Sequence, residues 1–463
     1  MTSCIENIKI AYIGGGSRGW AWNLMSDLAR TEELSGSVDL YDIDFAAAQA
    51  NAVIGNRYQE HPETKSQWTY RAVKTIEEAL DGARFVILSI LPGTFEHMAS
   101  DVHAPEAYGI YQSVGDTTGP GGILRAMRTI PMYETFAERI RACAPDAWVI
   151  NYTNPMTLCT RTLYRVFPDI KAFGCCHEVF GGQKLLACIA AEYLGITRPD
   201  RHEIKVNPIG VNHFTWLTDA RYRDVDLIPL YERFADEHPD GYTIRTGSNQ
   251  KNDVFSCKHL VKFDLFRRYG VIAAAGDRHL AEFCEDGWYL KDPDRVAQMG
   301  FSLTSVDWRK QDLANKLARR ERLVRGEESV RLTDSGEEGV NQMRAILGFG
   351  DLVTNVNLPN RGQIPNLPLG AVVETNAVFR SGGVSPVLAG TIPESIFPLV
   401  SRICGEQEAL STAIAERDVR AIFACFVNDP LVTCSLADAQ ELFRTMCDNT
   451  REFLTGYDLS ALS

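Results

Sequence analysis

Residues 175–178 place two cysteines, a histidine and a glutamate next to one another, and these side chains can bind a metal ion or transfer a proton. They follow an apolar run at 170–174, typical of a buried strand, and precede a helical pattern. Open α/β sheets carry their ligand sites at the carboxyl ends of strands. Because adjacent strand residues point to opposite faces, only one of Cys175 and Cys176 can face such a site. The alternative is that both cysteines belong to the core, as free cysteines often do.

Residues 14–19 have the spacing of a dinucleotide-binding loop, with glycines at the first, third and last positions of GxGxxG. In such a loop Gly14 allows a tight turn and Gly16 lets the backbone approach a pyrophosphate, while Gly19 lets helix and strand pack closely. Asp42 ends the next predicted strand, about twenty residues later. Its carboxylate can accept hydrogen bonds from a ribose, which favours NAD over NADP.

The elements that must position these residues alternate between strands and helices along the first half of the chain. This alternation predicts a doubly wound, Rossmann-like parallel sheet. Ser17 in the glycine loop and Asn151 near a strand end are further candidates for cofactor contacts. A polar, glycine-rich loop at 113–122 carries Asp116, and it is either a solvated connection or a loop that closes over a nicotinamide. The predicted strands are the apolar runs 8–13, 38–42, 85–90, 147–153 and 170–176.

Beyond about residue 201 the pattern changes. Residues 204–217 predict antiparallel strands that are broken at Pro208 and Gly210, and helical patterns dominate afterwards. The charged run 310–325 is typical of a solvated helix face. Since 463 residues exceed one typical core, we predict a Rossmann-like domain over 1–200 and a largely helical α+β domain over 201–463.

Composition excludes several classes of protein. A formal net charge of −13 argues against broad nucleic-acid binding. No apolar run approaches the roughly 18 residues of a membrane span, and the N-terminus lacks the pattern of a signal peptide, so we expect a cytoplasmic enzyme without a membrane partner. The twelve cysteines are scattered without CxxC pairs, which predicts neither a disulfide framework nor structural zinc.

Taken together, these motifs resemble the NAD- and metal-dependent glycosidases of glycoside hydrolase family four. The resemblance covers nearly the whole chain, and the sequence Cys-His-Glu-Val is similar to that of the α-galacturonidase branch. Cys-His-Ser-Val would instead resemble α-glucosidases or α-galactosidases, and an α-glucuronidase is a further alternative. The family implies a layout like that of lactate and malate dehydrogenases and a homodimer or homotetramer. The motifs that carry the resemblance are 14–19, Asn154-Pro155, 176–179, Asn212-His213 and 362–367.

The resemblance implies that Cys176 and His213 bind Mn²⁺, although a cysteine and a histidine alone would suggest zinc. It further implies that NAD⁺ takes a hydride from C3 of the sugar, which makes the C2 proton acidic. A base then removes that proton, the C1 group departs, water adds across the double bond and the hydride returns to C3. Asp277, in a Gly-Asp pair, is the candidate for the base that removes the C2 proton. Asp116 and His177 compete for the role of the acid that assists departure.

A uronic acid substrate needs a cation for its carboxylate, and a guanidinium group matches a carboxylate in two hydrogen bonds. The candidate cations are Arg125, Arg278, His279 and Arg361. Glu178 would repel a carboxylate, so it is predicted to bind a hydroxyl group or to orient a donor. The two asparagines of the family motifs, Asn154 and Asn212, are predicted to contact substrate hydroxyls or the metal shell.

Two functions of other classes share a dinucleotide-binding layout. One is an NAD-dependent 2-hydroxy-acid dehydrogenase, and the other is a non-catalytic NAD-sensing protein. The pair Cys176 and His213 argues against both, because neither class needs a metal site there.

Overall fold

The computed structural model describes residues 4–244, 256–303 and 305–462. The strands are β1 (Ile5–Ile13), β2 (Leu34–Tyr41), β3 (Trp68–Val73), β4 (Phe85–Leu88), β5 (Trp148–Asn151), β6 (Lys171–Gly174), β7 (Ile204–Val211), β8 (Phe214–Tyr222), β9 (Val225–Asp226), β10 (Ile272–Ala273), β11 (Leu352–Pro359), β12 (Val372–Arg380) and β13 (Gly383–Pro386).

The helices are α1 (Trp20–Ala29), α2 (Phe45–Gln59), α3 (Ile76–Leu80), α4 (Phe95–His103), α5 (Gly119–Cys143), α6 (Met156–Val166), α7 (Glu178–Leu194), α8 (Ile228–Glu237), α9 (Leu260–Tyr269), α10 (Asp277–Glu282), α11 (Asp286–Tyr289), α12 (Pro293–Gln298), α13 (Val306–Arg325), α14 (Gly339–Ile346), α15 (Phe397–Glu416), α16 (Val419–Asn428) and α17 (Leu436–Asn449). Short 3-10 helices cover Pro105–Tyr108, Arg201–Glu203, Arg451–Phe453 and Leu459–Leu462.

Six parallel strands form the first half of the sheet, in the order β3-β2-β1-β4-β5-β6. All four residues of β4 are buried, as expected for a central strand that is covered by helices on both faces. The strand order is that of a doubly wound dinucleotide-binding sheet, and its crevice lies where the order reverses between β1 and β4. The predicted fold class is therefore confirmed.

The same sheet continues into an antiparallel half in the order β11-β12-β7-β8-β10, with β13 beside β12 and β9 beside β8. The two halves meet where Gly174 of β6 pairs with Asn357 of β11. The boundary predicted at residue 200 falls between α7 and β7, and the division into two domains stays a prediction.

Apolar side chains cover the sheet in several clusters. The largest joins β7 and β8 to α5, α15, α16 and α17, with Trp216 and Phe443 among its members. A second packs α1, α2 and α14 against the sheet and includes Cys175. Within the described part of the chain, no helix has both the length and the apolar composition that a bilayer crossing requires.

Three local expectations were wrong. β7 passes through Pro208 and Gly210, because a register shift after Val206 accommodates the proline and the strand does not break. The predicted loop 113–122 ends early, because Gly119 begins the long helix α5. The sequence also gave no indication of β11 and β12, which extend the sheet inside the region predicted to be mostly helical.

Candidate active site

The glycine loop between β1 and α1 begins with the tight turn expected at Gly14. Gly14 has φ of +92°, and a Cβ atom there would lie 2.0 Å from the Ser89 carbonyl oxygen. The amide of Gly16 donates to Asp42 Oδ2 at 2.8 Å, so the predicted ribose acid also holds the loop. The packing reason given for Gly19 is wrong, since a Cβ at this position would meet only Lys316 Nζ among the described residues, at 3.9 Å.

A side chain outside the predicted motif supports the same loop. The buried Asn51 of α2 donates to the carbonyl oxygens of Gly15 and Ser17 at 2.7 and 2.8 Å. Its Oδ1 accepts a hydrogen bond from Trp22 Nε1 at 2.9 Å. Asn151, a predicted cofactor contact, accepts from Tyr133 Oη at 2.6 Å and from the Thr153 amide at 2.9 Å. These bonds shape the turn that leads to Asn154. The cofactor contact of Asn151 stays a prediction.

The two adjacent cysteines point to different surroundings. Cys175 donates to Gln342 Oε1 at 3.0 Å and packs in the apolar cluster under α14. Cys176 lies beside Asn212, Glu178 and Glu374. Burial raises the pKa of the Cys176 thiol, and the two carboxylates raise it further. A thiol in this state becomes a metal ligand when a cation replaces its proton.

A group of donors surrounds His213, which lies in the turn between β7 and β8 with φ of +64°. Ligand atoms of Asp116, His213 and His279 all lie within 4.8 Å of one another. Two imidazoles and one carboxylate form a donor set that suits a divalent cation with open coordination positions. His213 is the only residue that this group shares with the predicted ligand pair, and Cys176 belongs to neither donor group found among the described residues.

Thr117 fixes the hydrogen bonding of this group. Its hydroxyl donates to Asp116 Oδ1 at 2.7 Å, and the same oxygen lies 2.9 Å from His213 Nδ1. Since the only hydroxyl hydrogen is directed to the carboxylate, Nδ1 of His213 carries the proton and donates to the threonine. This arrangement leaves the lone pair of Nε2 available to a metal ion.

Charge distribution within the group favours an anionic Asp116 and neutral imidazoles. Burial and the neighbouring His279 together lower the pKa of His213 to about 3, although Asp116 and Glu178 oppose this shift. Burial opposes ionisation of Asp116, but the neighbouring His279, Arg125 and His213 hold its pKa well below the usual range. Asn154 Nδ2 also donates to Asp116 Oδ2, at 3.1 Å. An ionised Asp116 is suited to attract a cation.

Glu178, the first residue of α7, connects the strand-end motif to α10. Its Oε2 accepts from the Gly276 amide at 2.6 Å, and its Oε1 lies 3.7 Å from His279 Nε2. Burial opposes its ionisation, yet the neighbouring histidines and the Gly276 amide lower its pKa to about 2. The predicted role of Glu178, to bind a hydroxyl group or to orient a donor, stays a prediction.

His177 lies half-exposed at the start of α7. Its Nδ1 is 3.0 Å from Glu337 Oε1, and its ring stacks on Trp20 at 6.1 Å. Desolvation disfavours its charged form, but Glu337 and Glu178 together raise the pKa of His177. The raised pKa of His177 thus favours the protonated form of this half-exposed imidazole.

Asp277 is fully buried, and the structure places it in a second donor group with Cys257 and His259. Its Oδ1 accepts from the Lys262 amide at 3.3 Å, while Oδ2 has no hydrogen-bond partner among the described residues. Burial raises the pKa of Asp277 to about 6, and the positive charge of Lys262 opposes this shift. A carboxylate with a pKa near neutrality is well suited to general base catalysis, although its role stays a prediction.

The predicted cations differ in how they are held. Arg278 donates through Nε to Ser302 O at 3.1 Å and through Nη2 to Ser113 O at 2.6 Å, so it joins α10 to the loop that carries Asp116. Arg125 donates through Nε to Asn154 O at 3.0 Å and faces Asp116.

Two consecutive segments of the chain match the sequence patterns of known protein families. "Family 4 glycosyl hydrolase" matches residues 9–192, and "Family 4 glycosyl hydrolase C-terminal domain" matches residues 208–432. The chain belongs to glycosyl hydrolase family 4. Relatives extend this family 4 match over nearly the whole chain. An alpha-galacturonidase from Thermoanaerobacterium saccharolyticum is 57% identical over 458 residues, 99% of this chain and 98% of that protein.

Two solved structures are similar to this family 4 enzyme. The Bacillus subtilis protein lplD, provisionally described as a glucosidase, is 52% identical with a TM-score of 0.91, over 96% of this chain and 100% of that chain. The 6-phospho-beta-glucosidase from Thermotoga maritima, solved with manganese, NAD⁺ and glucose-6-phosphate, has a TM-score of 0.74 at 18% identity. The match covers 96% of this chain and 99% of that chain, and at this identity it shows the shared fold.

The sequence patterns did not indicate several residues that lie around the candidate site. Thr117 and Asn51 are polar residues with no motif of their own. Glu282 is buried behind the loop that carries Asp116. Arg309 stands one position before the run interpreted as a solvated helix face, yet its charge interacts with Asp116, Arg125 and Arg278. Only the adjacency of Thr117 to Asp116 offered a signal in the sequence.

Proposed function

We propose that this protein is an α-galacturonidase that depends on NAD⁺ and on a divalent metal ion, Mn²⁺ being the first candidate. The observation that carries the proposal is the 57% identity to an alpha-galacturonidase along 99% of the chain. The motif Cys176-His177-Glu178-Val179 resembles that of the same branch, and its Glu178 contacts both Gly276 and His279.

The residues around the crevice fit both NAD⁺ and a divalent metal ion. The tight turn at Gly14 opens the glycine loop, which we propose faces the pyrophosphate of the dinucleotide, and Asp42 retains acceptor capacity for a ribose. Nε2 of His213 and the Cys176 thiolate are the proposed metal ligands, with Asp116 and His279 as further donors. When bound, NAD⁺ supplies reversible hydride transfer at C3 of the sugar and Mn²⁺ supplies polarisation of the C3 oxygen.

The chain's own residues would then move protons. We assign removal of the C2 proton to Asp277, because its pKa of about 6 keeps it largely ionised at neutral pH. Asp116 and His177 are the two candidates for the acid that protonates the leaving oxygen; the raised pKa of His177 supports this role, whereas the low pKa of Asp116 opposes it. A series of leaving groups separates them, since loss of the acid slows glycosides of poor leaving groups far more than nitrophenyl glycosides.

Recognition of the substrate carboxylate is assigned to Arg309 together with Arg125. The Nε of Arg309 is buried and has no hydrogen-bond partner within the described ranges, whereas Arg278 uses two of its nitrogens on backbone carbonyls. An unpartnered buried donor next to the catalytic group is well placed for a carboxylate.

A panel of nitrophenyl α-glycosides tests the proposal, with NAD⁺, Mn²⁺ and a reductant present and a chelator as control. We expect cleavage of the galacturonide that requires NAD⁺ and metal yet accumulates no NADH. Preference for the glucuronide, galactoside or glucoside would assign another branch of the family. Net NADH formation would favour a 2-hydroxy-acid dehydrogenase, and NAD binding without turnover would favour a sensing protein.

We also propose a cytoplasmic enzyme that assembles as a homodimer or homotetramer. All twelve cysteines are free, which suits a reducing compartment. Fractionation and light scattering test the compartment and the oligomeric state.

A further inference from the structure

The first turn of α10 is tied to the loop that precedes Asp116. Arg278 Nη2 donates to the Ser113 carbonyl oxygen at 2.6 Å, and Ser113 Oγ donates to the Arg278 carbonyl oxygen at 2.5 Å. The next residue of the helix, His279, reaches the catalytic donor group. The helix and the loop therefore approach the site as one connected unit.

Glu282 adds a second connection at the end of the same helix. Its Oε1 accepts from the amides of Val114 and Gly115 at 2.7 and 2.9 Å, and the residue has no exposed surface. Gly115 adopts φ of +69°, which turns two successive amides toward one acceptor. Its Cβ position lies 2.8 Å from Val102 Cγ2, so the turn has no room for a side chain.

The residues that follow these two amides, Asp116 and Thr117, make the hydrogen bonds that organise His213. We propose that Glu282 is a positioning residue of the catalytic site, which acts through the Val114 and Gly115 amides to fix the carboxylate of Asp116. The assignment rests on the proposed function, because Asp116 is a site residue only within it. A displacement of about 1 Å at a reacting group can reduce turnover about 100-fold.

Activity measurements on Glu282→Ala and Glu282→Gln test the proposal, each alone and combined with Asp116→Ala. We expect Glu282→Ala to lower kcat about 100-fold with little change in KM, because Asp116 loses its position. Glu282→Gln should restore most of kcat, since its amide oxygen still accepts from both backbone amides. In the Asp116→Ala background, Glu282→Ala should cost nothing further, because it acts through that carboxylate.

Asp39→Asn serves as a matched control for general loss of stability. Asp39 is equally buried and accepts from Arg71 at 2.8 and 2.7 Å, on β2 and away from the loop. If Asp39→Asn lowers Tm as much as Glu282→Ala does, it should still leave kcat unchanged. Additive losses in the double variant, or equal losses in the alanine and glutamine variants, would overturn the proposal.

Hydrogen exchange supplies a readout that does not depend on activity. Amides of residues 111–118 should exchange faster in Glu282→Ala than in the wild type, and at the wild-type rate in Glu282→Gln. Should the alanine variant fail to fold, Glu282→Asp replaces it, because its shorter side chain withdraws the acceptor while keeping the carboxylate. Unchanged exchange in Glu282→Ala, or in Glu282→Asp where the alanine variant does not fold, contradicts the positioning role. A wild type that is inactive on galacturonides contradicts only the proposed substrate.

Discussion

At the scale of single residues, Thr117 decides which nitrogen of His213 is free. The threonine hydroxyl donates its hydrogen to Asp116, and its oxygen therefore accepts a hydrogen bond from Nδ1–H of His213. Outer partners of this kind hold a ligand in one tautomer and one orientation. The proposed metal site would thus depend on Thr117, which is not one of its proposed ligands.

We predict that Thr117→Val weakens Mn²⁺ binding about 10- to 100-fold, because the imidazole loses its orienting acceptor. Titration of Mn²⁺ followed by electron paramagnetic resonance measures the affinity. Thr117→Ser keeps the hydroxyl and should bind the metal nearly as the wild type does. Equal affinities of the valine and serine variants would show that the hydroxyl has no part in the site.

Arg309 allows a prediction about substrate choice. Arg309→Met should raise KM for a galacturonide about 10- to 100-fold, the range expected for lost hydrogen bonds to a charged group. KM for the neutral methyl ester of the same glycoside should change little. Lys310→Met is the control, because Lys310 pairs with Glu96 at 2.7 Å on an exposed surface. Equal effects on acid and ester would contradict carboxylate recognition by Arg309.

At the scale of elements, the contact of α10 with the loop before Asp116 should respond to pH. Burial raises the pKa of Glu282 from 4.5 to about 8, although the two loop amides favour its ionised form. At pH values between 4.5 and about 8, Glu282 is protonated in the folded protein and ionised in the unfolded chain. The free energy of unfolding therefore falls as pH rises through this window.

We predict that Glu282→Gln, which cannot ionise, lacks this part of the pH dependence. Chemical denaturation of both proteins from pH 5 to pH 8.5 measures the difference. The wild type should lose stability relative to the glutamine variant as pH increases, and parallel curves would contradict the burial of an ionisable acid at this contact.

The elements show why the sequence predicted some parts and missed others. The glycine loop and Asp42 lie within one βαβ unit, so their spacing along the chain is also their arrangement in space. Glu282 and Val114 are 168 residues apart, and no local pattern connects them. β11 and β12 were missed because buried polar residues interrupt their apolar pattern, among them Asn355, Asn357 and Glu374.

At the scale of the whole molecule, one hydrogen-bonded sheet runs through both family segments. Phe173 of β6 packs against Phe379 of β12 with ring centroids 5.1 Å apart, and the second apolar cluster draws residues from both segments. Separating the segments would expose this shared apolar surface to water.

We predict that residues 1–200 do not form a stable folded unit alone and that the full chain unfolds in one cooperative transition. Circular dichroism of the fragment and calorimetry of the full chain measure both. A fragment with its own sharp melting transition would establish the predicted domain at 1–200 as an independent unit.

The pairing of Gly174 with Asn357 bears on how a sugar reaches the crevice. Many enzymes admit their ligands by rotating two halves about a hinge. Here such a rotation would break the ladder one residue before Cys175 and would displace Cys176. This ladder at the floor of the candidate site therefore opposes a rotation of one half of the sheet against the other.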